Sequence, residues 1–113
     1  MESPGRITPA LLDVLRELVG ADAELHGFAL SKECGRPTGS IYPILARLEE
    51  AGWVTSRWEE SAIEGRPRKR LYRLSPDGLV AARNLLAERH SVRAARSTRR
   101  LLPGLRGPLG AGE

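Results

Sequence analysis

A mainly α chain with a two-stranded β wing is the fold class this sequence predicts, on three observations. Three stretches of helical apolar periodicity fill most of residues 8–51. Two short alternating stretches follow, parted by a polar tip that contains Gly65 and Pro67. "SPDG" at 75–78 then opens one more helical stretch. Three helices, a ribbon and a last helix make a winged helix-turn-helix plus C-terminal helix.

Each element has its own signal. Thr8-Pro9 starts the first helix, a hydroxyl cap followed by proline at the first helical position. Ala10, Leu11, Val14, Leu15, Leu18 and Val19 then recur on one face as far as Gly20. "ELHGFALSKEC" at 24–34 predicts a shorter helix that buries Leu25, Phe28, Ala29 and Cys34, and Gly35 and Pro37 interrupt it. A third helix from Pro37 to Ala51 turns Ile41, Ile44, Leu45 and Leu48 inward, with Gly52 as its stop. Strands are predicted over Trp53–Trp58 and Lys69–Leu74, with "EESAIEGRPRK" as the hairpin tip between them. Trp53 and Trp58 bracket the first strand and read as core and wing packing. Ser75 caps the last helix, Pro76 takes its first position, and Leu79, Ala82, Leu85 and Leu86 form its stripe. The expected divisions are a flexible lead-in at 1–7, a winged-helix domain at 8–75, a C-terminal helix at 76–101 and a disordered tail at 102–113.

Composition narrows the class. A chain of 113 residues with 28% charged and 41% hydrophobic residues is sized for one folded domain. One cysteine, Cys34, excludes an internal disulfide framework and leaves zinc without a thiolate cluster. No apolar run approaches a membrane span and no leader pattern is visible, so a cytoplasmic location is expected. No nucleophile set, phosphate loop, dinucleotide loop or spaced carboxylate pair is present, so neither an enzyme nor a cofactor is expected. His26 and His90 do not pattern as a metal site. The net charge of +4 is unevenly spread: residues 1–50 sum to −3, 51–82 to +2 and 83–113 to +5. That gradient favours a polyanion partner. Arginine outnumbers lysine sixteen to two, which suits bidentate phosphate contacts and would equally follow from a GC-rich genome.

The third helix carries polar and small residues at its front, where better helix formers would be expected. Thr38, Ser40, Tyr42 and Pro43 lie off the Ile41/Ile44/Leu45/Leu48 face, and Gly39 stands among them. In a winged helix this tip faces the major groove of double-stranded DNA, and hydroxyls there reach phosphates or base edges. Capping by Thr38 and core packing by the Tyr42 ring are the competing assignments. Pro43 is tolerated only near the helix start, which sets that start at residue 38 or 39. Arg66, Arg68 and Lys69 flank a Gly/Pro wing tip suited to phosphate or minor-groove approach. Arg47 can reach a phosphate or pair with Glu49 or Glu50, and Lys32 can reach the backbone from the second helix.

"GSIYPILARLEEAGWV" followed by "EGRPRKRLYRLSPDG" resembles the PadR family of bacterial transcriptional regulators. The resemblance rests on Gly39, Ser40, Ile41, Tyr42 and Pro43; on Arg47, Leu48 and Glu49; on Gly65, Arg66 and Pro67; and on Tyr72, Arg73, Leu74, Ser75 and Gly78. "LHGFAL" at 25–30 matches the family's second helix, with His26 and Phe28 at its aromatic positions. It implies a homodimer, usually a repressor, that binds an operator with dyad symmetry and dimerises through the C-terminal helix. Some members release DNA when a small-molecule effector occupies the dimer interface. On that basis Leu79, Ala82, Leu85, Leu86 and Val92 are the expected dimer residues, with the first helix alongside. The stripe departs from the family after Leu86, where Arg89, His90, Arg93 and Arg96 stand, and no tryptophan follows. Arginines at 89, 93, 96, 99 and 100 form a basic stripe that fits a solvated face, a second DNA arm or an acidic-effector site.

Two other roles stay open from sequence alone. The acidic first fifty residues would suit a winged-helix protein–protein adaptor. Cys34 would serve a redox-gated regulator or, equally simply, act as a small buried hydrophobe.

Overall fold

The structure is a computed structural model that describes residues 2–21, 24–60, 65 and 68–101, with side chains described as far as residue 90. Its elements run α1 (Pro9–Gly20), β1 (Leu25–His26), α2 (Gly27–Cys34), α3 (Thr38–Glu50), β2 (Val54–Trp58), β3 (Arg70–Leu74) and α4 (Pro76–Leu101). The predicted mainly helical class and the wing are present, and the expected disordered tail at 102–113 lies outside the described residues.

Helix α1 begins as its sequence dictates: the Leu11 amide donates to Thr8 Oγ1 at 3.2 Å and Pro9 follows the cap. Its apolar stripe drives Leu11, Val14, Leu15 and Leu18 into the core. There they join Leu30 of α2 and Ile41, Ile44, Leu45 and Leu48 of α3.

The sheet has three strands rather than the expected two, in the order β1-β3-β2. Leu25 pairs with Tyr72 and His26 with Leu71, where helix is expected from the sequence. The reason is a cap. His26 is extended, and its Nδ1 accepts the Ala29 amide at 3.1 Å, so α2 starts only at Gly27. The buried face of α2 is Gly27 and Leu30, so Phe28, expected in the core, is 64% exposed.

Both ends that frame α3 use left-handed glycines. Gly35 (φ 66°) donates to the Lys32 carbonyl and the Arg36 amide to that of Ser31, closing α2. Arg36 Nε and Nη2 both donate to Asp13 Oδ2, at 3.1 and 2.9 Å, fixing the turn to α1. Gly52 (φ 86°) donates to the Glu49 carbonyl, and the Trp53 amide reaches Leu48 at 2.9 Å. This is the paired bonding of a Schellman ending.

Beyond it, β2 and β3 pair antiparallel from Val54↔Leu74 to Trp58↔Arg70. The expected burial of Trp53 holds, with its Nε1 donating to the Glu2 carbonyl at 2.6 Å. Trp58 packs on the wing, with the Arg70 guanidinium 5.3 Å from its ring centroid, and stays 55% exposed.

Residues 2–7, expected as a loose lead-in, lie against the end of α3. Pro4 is buried and the Glu2 amide donates to the Ala51 carbonyl at 3.1 Å.

Candidate nucleic-acid interface

The front of α3 faces outward and its rear is packed. Gly39, Ser40, Tyr42 and Pro43 are exposed and Thr38 is half-buried, while Ile41, Ile44, Leu45 and Leu48 are buried. Thr38 does not cap the helix. Pro37 occupies the cap position, which carries no side-chain hydrogen bond, and the Ser40 and Ile41 amides close onto the Pro37 carbonyl at 2.9 and 3.2 Å. Among the described residues the Thr38 and Gly39 amides have no partner, and a helix start of this kind favours an anion. Helix α3 starts at Thr38, where Pro43 led it to be expected, and Pro43 falls in its second turn. The helical pattern pairs each amide with the carbonyl four residues back, so the exposed Gly39 carbonyl has no helical donor.

Tyr42 is 45% exposed, so its ring is not core packing. One side rests on the first residue of α2: a Cβ built on Gly27 would lie 2.4–2.9 Å from the ring's Cε1, Cζ and hydroxyl. The absent side chain at Gly27 is what seats the ring.

Tyr42 shares one groove with Arg68, Lys69 and Arg70, so the helix front and the base of the wing lie on the same side. Arg68 is exposed and Lys69 half-buried. Arg66 lies outside the described residues. The wing is fastened at that base. Ser56 Oγ donates to Glu49 Oε2 at 2.5 Å, and Arg70 Nε donates to Ser56 Oγ at 3.0 Å. Arg70 Nη2 reaches Glu49 at 3.5 Å. Across the sheet, Arg57 of β2 donates through Nε and Nη2 to Glu24, which precedes β1, at 2.9 and 2.6 Å. The same Arg57 bonds hold the Glu24 carboxyl below the usual carboxylate range and raise the guanidinium in turn. None of these fastenings was visible in the sequence, because each joins side chains of different elements and follows no helical or strand period.

Two expected contact residues, Arg47 and Ala82, are placed differently. The Arg47 guanidinium donates to the Pro4 carbonyl at 2.9 Å and to that of Arg6. It therefore fastens the lead-in, instead of reaching a phosphate or pairing with Glu49 or Glu50. Lys32 is exposed in the last turn of α2. On α4, Ala82 is 0% exposed within a single chain, packed in the core, so it cannot also face a partner. Leu79, Leu85 and Leu86 are half-buried. The Val92 side chain and most of the arginine stripe lie outside the described residues.

Cys34 is half-buried, and its thiol is pushed up by burial and then by Asp13 and Glu17. A raised thiol is mostly uncharged at neutral pH, which disfavours redox chemistry there. Among the described residues no group of His, Cys, Asp and Glu could hold a metal, and no helix is long and apolar enough to cross a membrane.

The sequence profile of the transcriptional regulator PadR-like family matches residues 14–84, well over half of the chain. No curated protein matches. Among solved structures, the PcaV transcriptional regulator from Streptomyces coelicolor, in complex with its natural ligand, is similar at TM-score 0.63 and 26% identity. That match covers 87% of this chain and 62% of PcaV, so the chain spans less than two thirds of that regulator. PadR from Bacillus subtilis, in complex with operator DNA, aligns at TM-score 0.61 and 20% identity over 72% of this chain and 48% of PadR. A PadR-like regulator from Bacillus cereus aligns at TM-score 0.60 and 19% identity, over 82% of this chain and 90% of that one.

Proposed function

We propose, from the premise that this chain belongs to the transcriptional regulator PadR-like family, that it binds double-stranded DNA as a homodimer and represses transcription from a dyad-symmetric operator. Members of this family are transcriptional regulators, and the chain is accordingly not an enzyme.

One observation carries the reading: the exposed front of α3 and the cationic base of the wing open onto one groove, with the aliphatic rear of α3 buried behind them. In this reading Ser40 and Tyr42 enter the major groove, with Thr38, Gly39 and Pro43 close to the strand. The uncapped amides of α3 take a phosphate. Arg68 and Lys69, with Arg66 nearer the tip, follow the flanking backbone, and Lys32 reaches it from α2. That Bacillus subtilis PadR, similar in fold, is in complex with operator DNA supports the DNA-binding reading. A small-molecule effector in the dimer interface would release the DNA.

The test is a salt titration of duplex binding by fluorescence anisotropy. Arg68→Ala is expected to weaken binding to all duplexes alike. It should also lower the steepness of the log–log salt dependence by about one. An unchanged slope would remove the wing from the interface.

A further inference from the structure

Aromatic side chains are scarce in this chain: two Trp, two Tyr and one Phe. Trp53 and Tyr72 are buried. The other three, Phe28, Tyr42 and Trp58, are exposed, and all three line a single open groove of about 360 Å3. They come from α2, α3 and β2, so no helical or strand period brings them together. Arg68, Lys69 and Arg70 line the same groove. Arg70 is engaged with Trp58 and Ser56, whereas Arg68 and Lys69 enter no ion pair among the described residues.

Contact with an intact duplex uses the Tyr42 hydroxyl but does not account for the exposed Phe28 and Trp58 rings beside it. A duplex offers phosphates, sugars and base edges, and keeps its base faces stacked inside. Cations and hydroxyls suffice for that. The complement of an exposed ring face is another planar ring, and three such faces beside cations fit a ring that carries an anion. An unpaired nucleotide is such a ligand, because its base stacks and its phosphate meets arginine or lysine. The groove has the volume of a small-ligand site.

We infer that this groove binds an unpaired nucleotide, its base among Phe28, Tyr42 and Trp58 and its phosphate on Arg68 and Lys69. The inference deepens the DNA-facing reading above and rests on it. The nucleotide can be free or belong to a single strand, and the groove chemistry is the same for both.

Tryptophan emission of the full chain, followed during titration with thymidine monophosphate, a short oligothymidylate and inorganic phosphate at matched ionic strength, tests it. A mixed-sequence duplex is measured in parallel by anisotropy. Saturable quenching of Trp58 by the oligothymidylate is expected, with none from phosphate. A response to the oligomer alone assigns a strand as the ligand, and an equal response to the monophosphate assigns the free nucleotide. Phe28→Ala removes a solvent-facing ring that the core does not use. It should weaken the oligomer roughly tenfold and leave duplex affinity unchanged. Absence of saturation with both ligands, quenching by phosphate alone, or an equal loss for oligomer and duplex in Phe28→Ala would overturn the inference. If the duplex still binds in those cases, only this inference falls; if the duplex also fails to bind, the regulator reading falls with it.

Discussion

Two glycines show how much a single missing methyl decides in this molecule. At Gly78 in the first turn of α4, an added Cβ would stand 2.0 Å from the Trp53 carbonyl oxygen and 2.8 Å from Ser75 Oγ. That oxygen is backbone and already accepts the Ser75 amide at 2.9 Å, while Ser75 Oγ accepts the Gly78 amide at 2.9 Å. Neither can withdraw without opening the junction between α3, β2 and α4. Gly78→Ala should therefore lower the free energy of unfolding by at least about 2 kcal/mol, read from the urea midpoint. At Gly27 the obstructing atoms are the far end of the Tyr42 side chain, which can swing away. Gly27→Ala should cost less than about 1 kcal/mol of stability, because the ring moves and the backbone stays. Duplex affinity should fall in the same variant, since Tyr42 loses its seat. Unchanged duplex affinity would mean that the seating of Tyr42 does not matter for binding.

The elements were legible in the sequence wherever their determinants are local. Thr8-Pro9, the repeating leucines of α1, the Ile41/Ile44/Leu45/Leu48 face and the glycine at 52 are all short-range signals, and each element formed where they lie. What the sequence hid depends on partners far along the chain. The pairing of Leu25 and His26 with Tyr72 and Leu71 takes both out of α2, whose buried face is then Gly27 and Leu30 while Phe28 faces solvent. Arg47 looked like a surface contact because its acceptors are carbonyls some forty residues earlier. Of the candidate interface, the exposed tip of α3 was readable, whereas the fastening of the wing was not. That fastening is open to a pH test at Glu24 and Arg57. The Glu24 carboxyl is held below its ordinary value of 4.5 by its bonds from Arg57, so below that value the unfolded chain takes up protons more readily than the folded one. The contribution of the pair is present at neutral pH and is lost as acidity passes through the lowered folded value. Glu24→Gln should consequently have a lower urea midpoint than the parent at neutral pH, and the two midpoints should converge in acid. Added salt should narrow the neutral-pH gap, because both groups are near solvent. A gap that persists unchanged into acid would show that the ion pair does not fasten the sheet.

At the scale of the whole molecule, the proposed dimer must use the part of α4 that one chain leaves uncovered. Ala82 is consumed by the core and Leu85 and Leu86 pack against it, so these positions belong first to the fold of the single chain. Charging Leu86 would confuse unfolding with dissociation. Val80 separates the two: it is 59% exposed on the first turns of α4, and Ala87, seven residues on, is exposed on the same face. An exposed β-branched residue in that register has little to lose from a charge in the monomer and much to lose in a packed pair. Val80→Arg is therefore expected to leave the circular dichroism spectrum unchanged and to shift sedimentation toward the monomer at micromolar concentration. Binding to a two-half-site operator should then fall by well over tenfold, since each half-site would have to be bound separately. A chain that stays dimeric with Arg at position 80 would move the partner contact away from this face of α4, and with it the spacing at which two α3 helices could meet successive major grooves.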